Sequence, residues 1–457
     1  MKINATNTTA ITKINGVSVL NITKINGSSF TIIPAGIVLS DLIMYLDAGV
    51  IASYPGTGTN WNDLTVNNND ATLTNGPTYN SSNGGSIVFD GANDYGQLLS
   101  TVDIGTVGTW SIWINANSFS GVIIGSNIAN YYMIFNYASV FYINYGGALG
   151  SVSHSLSTGA WYNITITRNG NTHEIFVNGE SIGTTTISTA NTSKFSIIGD
   201  ERSTSPYPFN GKISSFLVYD RVLTSSEVIQ NFNALVDRYL PLPSNKFDAS
   251  NVLSYPGSGT TWYNISGSSN TTLYNGVTYS TDGGGSLVFD GTSNYGIVPY
   301  DSTFNFSTGD YTMNTWVKFN NLSSPMNITS KDTYGSNFDW SIYIPNANNI
   351  IDYSNGTATN VSAYLGTALS TGTWYLITIS SISSYVSIYV NGVQYGSTTY
   401  MSTSNSNTTA LTIGCYSWNN PGALFNGKIS VMEYYNVGLT STEALMSFTK
   451  NKTRFGY

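Results

Sequence analysis

Six glutamates, two histidines and one cysteine are nearly all that this 457-residue chain offers acid–base or nucleophilic chemistry beyond its aspartates. Cutting a glycosidic bond takes two carboxylates a few ångströms apart, one donating a proton and the other acting as nucleophile or base. Glu174, Glu180, Glu201, Glu433 and the pair Glu227 and Glu443 have no acidic partner at a spacing that would put both on one strand face. Asp200-Glu201 is adjacent in sequence, and neighbours on a strand point to opposite faces. Glu227 and Glu443 close the stretches Thr224-Ser225-Ser226-Glu227 and Thr440-Ser441-Thr442-Glu443, which fit a helix capping box. No catalytic residue emerges, and the chain reads as a non-enzyme. His154 and His173 lack convergent partners for a zinc site or a triad and read as exposed side chains. Cys415 lies in the apolar run LTIGCY and reads as a buried, inert thiol.

Aromatic and hydroxyl chemistry is abundant instead. The chain has 33 tyrosines, and only 9% of its residues are charged, well below the roughly 25% usual in soluble proteins. Its surface must therefore be wetted by Asn, Ser, Thr and Tyr, the groups that hydrogen-bond and stack on sugars. The densest aromatic run, 130–145, offers Tyr131, Tyr132 and Tyr137; the second half offers Trp340, Tyr416 and Trp418. These six are the candidate glycan-binding residues, with sandwich core or a subunit interface as the alternative. A net charge of −8 and the absence of a Lys/Arg cluster exclude nucleic acid as a partner. No run approaches the roughly 20 apolar residues of a membrane helix, and no secretory leader is read in MKINATNTTAITKING.

The elements that position these groups come in two copies. YPGTGTNW at 54–61 returns as YPGSGTTW at 255–262, GGSIVFDG at 84–91 as GGSLVFDG at 284–291, and TGAWYNITI at 158–166 as TGTWYLITI at 371–379. FVNG, FNGKIS and LTSSE recur in the same order. A unit this long suits a whole all-β domain rather than a solenoid repeat. Alternation in Trp161-Tyr162-Asn163-Ile164-Thr165-Ile166 predicts a strand with one apolar face, and Asn178-Gly179 and Asn391-Gly392 predict tight hairpin turns. Trp161 and Trp374 are expected to be equivalent buried residues. Many short strands with Gly- and Asn-rich turns predict antiparallel β-sandwiches. The domains are placed at 37–240 and 241–457, joined by a short stiff linker from Asp237 to Lys246. Residues 1–36 form an arm in which ITKING at 11–16 recurs at 22–27. Ile11, Lys13, Ile14, Ile22, Lys24 and Ile25 are its expected docking residues, because an arm this short has no core of its own.

The motif set LDA…SYPGSGTTW, GGSxVFDG, WYxITI, YVNG and FNGKIS…LTxxE resembles the laminin-G-like branch of the concanavalin A-like lectin/glucanase superfamily, once per repeat over 37–457. The resemblance implies two tandem antiparallel jelly-roll β-sandwiches. It also implies a possible calcium ion, for which Asp47 and Asp248, paired at an offset of 201, are the candidate ligands. The repeated Asp90 and Asp290 fit the alternative of bonding their own turns. The laminarinases of that superfamily carry E-x-D-x-x-E on one strand, and this chain has no such pattern. Domains of this type occur in bacteriophage structural proteins, which the arm also resembles. The expected function is a virion structural protein, decorating capsid or tail on the particle exterior, homo-oligomeric and attached to capsid or tail proteins by its arm. The alternative is an adhesin for a host surface glycan, on a bacterial surface or secreted.

Overall fold

The computed structural model describes residues 13–14, 17–18, 24–25, 28–29 and 33–457, apart from 129–130, 138, 203–205, 307–308, 334–336, 346–348, 356–359, 402–407 and 418–420; for the arm strands and for 133–137, 333 and 337–338 it describes the backbone alone. The chain divides into two compact units, Met1–Tyr239 and Leu240–Tyr457.

Each unit is a jelly-roll sandwich of two antiparallel sheets, as the strand pattern and the resemblance imply. In the first, one sheet runs Glu180–Thr186, Thr172–Val177, Trp161–Asn169, Val107–Ala116, Asn210–Tyr219, Ser86–Asp90, Thr78–Asn80, with Leu42–Asp47 also paired to Asn210–Tyr219. The facing sheet runs Ala148–Ser153, Val140–Tyr145, Tyr131–Tyr137, Val122–Gly125, Lys194–Ile198, Tyr95–Asp103, Ala71–Thr74, Asn60–Trp61. The second unit repeats both orders with its own strands. Tyr162, Ile164 and Ile166 meet Trp110, Ile112 and Phe141 in the core between the sheets. The Asn-Gly turns form as expected: Asn178 and Gly179 have φ of 52° and 80°, Asn391 and Gly392 53° and 77°, the two left-handed residues that a tight hairpin needs.

The first-named sheet of each unit is buried on both faces because a helix covers its outside. Helix α1 (Ser225–Leu235) and helix α2 (Ser441–Asn451) each begin with the complete capping box. In the first unit Trp113 stacks on Phe232 of α1 and on Tyr239 just beyond it, with ring centroids 5.6 and 3.9 Å apart. In the second, Trp316 stacks on Phe448 at 5.7 Å and on Phe455 at 3.9 Å. Trp161 and Trp374 are both buried, as expected, but under these helices and opposite to the face of Tyr162 and Ile164. The intervening polar residues are buried too and bond one another: Asn163 Nδ2 and Thr165 Oγ1 donate to Ser111 Oγ at 3.1 and 2.8 Å.

The linker is shorter than the prolines suggest. Arg238 pairs with Asp47, and Tyr239 lies in the first unit's aromatic stack. Asn245–Asp248 is already a strand of the second, leaving 240–244 between them. In the arm, Lys13–Ile14 pairs with Val17–Ser18 and Lys24–Ile25 with Ser28–Ser29, one hairpin per repeat. Ile11 and Ile22 lie outside the described residues.

The caps yield a first expectation. The Arg221 guanidinium and the Thr224 amide pull Glu227 down to about 2 from an ordinary 4.5. A carboxylate depressed on folding contributes stability that is full above its unfolded value and lost as pH falls through its folded one. Thermal melts of the first unit should therefore weaken between about pH 4.5 and 2. Glu227→Gln should flatten that limb; an unchanged acid profile would show that the cap adds nothing. Thr224→Ala and Thr440→Ala should each cost about 1 kcal/mol in urea titrations.

Candidate functional site

The second unit's helix-free sheet carries a cavity of about 420 Å³ on its outer face, lined by Ser341, Tyr343, Asp352, Ser354, Asn360, Tyr416 and Ala423, within the size range of small-molecule sites. Three neighbouring strands build its floor. Ser341, Ser354 and Asn360 form one row across them, and Tyr343, Asp352 and Ser362 the next. Strict alternation puts Trp340, Ile342, Ile351 and Tyr353 into the core and leaves the polar set outside. Tyr416 and Ala423 come from the segment after Leu411–Ile413, which is tied down where the Asn327 amide donates to the Ala423 carbonyl at 2.7 Å. Asp352 accepts from Ser362 Oγ at 2.6 Å. Burial raises the Tyr343 hydroxyl above its ordinary value, and the Asp352 carboxylate adds to the effect, so Tyr343 stays a neutral donor. Two phenol rings, a carboxylate, two serines and an amide can stack on and hydrogen-bond a polyhydroxylated ligand.

Of the six candidate glycan residues, Tyr416 lines this cavity. Trp340 does not: it is wholly buried on the core side, its indole Nε1 donating to the Phe304 carbonyl at 3.1 Å. Tyr131 is likewise core, packed edge-on to Tyr145, with its hydroxyl on the Thr192 carbonyl. Tyr132 is half-buried on the helix-free sheet of the first unit. Trp418 and the side chain of Tyr137 lie outside the described residues. Sequence reasoning missed Ser341, Tyr343, Asp352, Ser354 and Asn360. The signal was in Trp340-Ser341-Ile342-Tyr343 and Ile351-Asp352-Tyr353-Ser354, whose outward members are the polar ones.

The calcium ligands are corrected as well. Asp47 is fully buried and receives Arg238 Nη1 at 2.8 Å, the Gly49 amide at 2.9 Å and the Tyr45 hydroxyl at 2.5 Å. Asp248 receives Arg454 Nη2 at 3.1 Å and both donors of Ser250. A guanidinium already supplies the positive charge that a cation would bring. Among the described residues no group of three or more His, Cys, Asp or Glu is placed to hold a metal. The repeated Asp90 and Asp290 bond the amides of their own turns.

His173 is not exposed. It is buried against the Tyr145 hydroxyl at 3.0 Å, and burial, with Arg168 nearby, pulls it down to about 4. Cys415 is buried, its thiol pushed up to about 12 by desolvation.

Comparison with known proteins places these observations. Residues 89–229 and 290–444 match the family described as the concanavalin A-like lectin/glucanases superfamily. No curated protein matches the chain. Domain 4 of an extracellular arabinanase from Geobacillus stearothermophilus, solved with arabinotriose, is 17% identical, with a TM-score of 0.35 over 45% of this chain and 98% of that one. A Trypanosoma rangeli sialidase in complex with sialic acid is 12% identical, with a TM-score of 0.38 over 85% of this chain and 63% of that one, so the match spans less than two thirds of the sialidase. A pentraxin from Limulus polyphemus is 15% identical, with a TM-score of 0.26 over 30% of this chain and 69% of that one. With an arabinanase and a sialidase among the structures it resembles, the reading of this chain as a non-enzyme is withdrawn. Likenesses at these TM-scores assign no activity to this chain. The family match covers more than half of the sequence, once in each sandwich, and the chain belongs to the concanavalin A-like lectin/glucanases superfamily.

Proposed function

We propose that this protein binds carbohydrate through the helix-free sheet of its second domain. The observation that carries this reading is the cavity itself, where Tyr343 and Tyr416 stand beside Ser341, Asp352, Ser354 and Asn360. The test is a glycan array probed with the full chain, followed by titration of the best ligand. The double variant Tyr343→Ala/Tyr416→Ala should bind at least about tenfold more weakly, the equivalent of about 1.4 kcal/mol. An array without a single binder would overturn the reading.

A second reading concerns where such a protein is displayed. The arm supports attachment to a larger assembly, such as the capsid or tail of a bacteriophage-like particle or sister copies of the chain. Its two hairpins each have strands of two residues, and a two-stranded ribbon alone is marginally stable in water. Such ribbons gain by adding to another sheet. Deleting residues 1–36 should leave both sandwiches folded by circular dichroism and abolish oligomerisation or particle incorporation. Normal assembly of the truncated chain would move attachment to the sandwiches.

A further inference from the structure

The internal duplication gives every cavity residue a counterpart in the first domain, and strand register identifies it. Asn327 pairs with Tyr343, which pairs with Asp352; Val122 pairs with Phe135, which pairs with Tyr142. Ser341 pairs with Ser354, which pairs with Asn360; Tyr132 pairs with Asn144, which pairs with Leu149. The amide of Asn327 donates to Ala423 and that of Val122 to Tyr207. The amides of Gly414 and Gly199 donate to Ile328 and Ile123, which aligns Tyr416 with Glu201. At three positions a small or short side chain of the second domain takes the place that a tyrosine holds in the first: Ser341 corresponds to Tyr132, Asp352 to Tyr142 and Ala423 to Tyr207. The positions that line the cavity in the second domain therefore carry phenol rings in the first, where Tyr132 and Tyr142 are partly buried and Tyr207 is half exposed.

From this we infer that the carbohydrate site is confined to the second domain, and that Asp352 makes it select neutral sugars over acidic ones. The inference rests on the carbohydrate reading above. None of the seven lining residues is basic, and Lys331, on the neighbouring strand, is buried in a pair with Asp339 at 2.9 Å. A ligand carboxylate would thus meet Asp352 with no cation among the described lining residues to offset the repulsion. A neutral sugar hydroxyl would donate to the same oxygens in a charge-assisted bond. A second observation marks this copy as the polar one. Asn327 is fully buried, and neither its Oδ1 nor its Nδ2 has a hydrogen-bond partner among the described residues. An unpaired buried side-chain carboxamide costs stability that Val122, at the same place in the first domain, does not.

The test uses the full chain and sugars that differ only at C6: galactose against galacturonate and glucose against glucuronate, with lactose against sialyllactose as a larger pair. Binding is read by saturation-transfer NMR and calorimetry. One site per chain is expected, with the neutral member of each bound pair favoured at least tenfold. Asp352→Asn should bring that ratio close to one while both domains keep their melting temperatures. Tyr142→Ala/Tyr207→Ala should leave the wild-type site untouched. Two equivalent sites, equal affinity for acidic and neutral partners, or an unchanged ratio in Asp352→Asn would each overturn the inference and leave the carbohydrate reading standing. Failure of the wild-type chain to bind any sugar would overturn both.

Discussion

Arg238→Ala is expected to destabilise the first domain by about 3–5 kcal/mol, the cost of leaving a buried carboxylate without its counter-charge. Asp47 is wholly inaccessible, and Arg238 reaches it from beyond the end of α1, 191 positions along the chain. The pair joins the domain's first long strand to its last turn. Arg454 and Asp248 repeat the clasp in the second domain, where the Asp248 side chain is 14% exposed against none for Asp47. Asp248 also keeps both Ser250 donors, so Arg454→Ala should cost less. Urea unfolding of the full chain would read each loss as a shift in one domain's transition. Arg238→Ala/Asp47→Asn should recover part of the deficit, because a neutral amide is cheaper to bury than a carboxylate. A loss below about 1 kcal/mol for Arg238→Ala would show that Asp47 is solvated in solution.

That clasp also shows where sequence reading stopped. The duplicated motifs led to two sandwiches because each motif is local: a turn, a cap or one alternating strand. Asp47 and Asp248 stood out as a repeated acid, and a repeated acid in this superfamily suggests calcium. The partner was equally repeated, since Arg238-Tyr239 and Arg454-Phe455 share the spacing of the two helices. Nothing local says that a chain end returns to its first strand.

The helix-covered sheet was hidden for a related reason. Asn163 and Thr165 alternate with apolar residues as a solvent-facing set would, and they are buried because α1 lies over them. Alternation reports two faces and is silent on what covers each. The same ambiguity misdirected the glycan candidates. Trp340 has the greatest stacking area on its strand, so it drew attention, but the strand turns its largest side chain inward and offers Ser341 and Tyr343 outside. Tyr416 was found because it lies beyond the strand, where alternation no longer decides. The contrast between Asp352 and Tyr142 needed strand registers, since insertions had moved the two copies out of simple alignment.

Trp113→Ala should be as damaging as loss of the clasp, at about 3–5 kcal/mol. The indole is fully buried between its own sheet and the helix layer, stacked on Tyr239 at 3.9 Å and on Phe232 at 5.6 Å. Truncation would open a cavity walled by two strands and α1, which packing on both sides prevents from collapsing. Trp316→Ala should do the same in the second domain, where Phe455 and Phe448 hold the equivalent places. Trp161 lies at the edge of the stack, 9% exposed and 4.8 Å from Tyr239, so Trp161→Ala should fall at or below the lower end of that range. Trp113→Phe separates packing from polarity. The Trp113 Nε1 donor is buried without a partner among the described residues, and phenylalanine removes that penalty while keeping most of the ring contact. Its cost should stay below about 1.5 kcal/mol. Calorimetry resolving the two domains would show one transition moving and the other fixed. If Trp113→Ala cost no more than Trp113→Phe, α1 would not be packed on the sheet in solution, and the buried polar row of Ser111, Asn163 and Thr165 would face water instead.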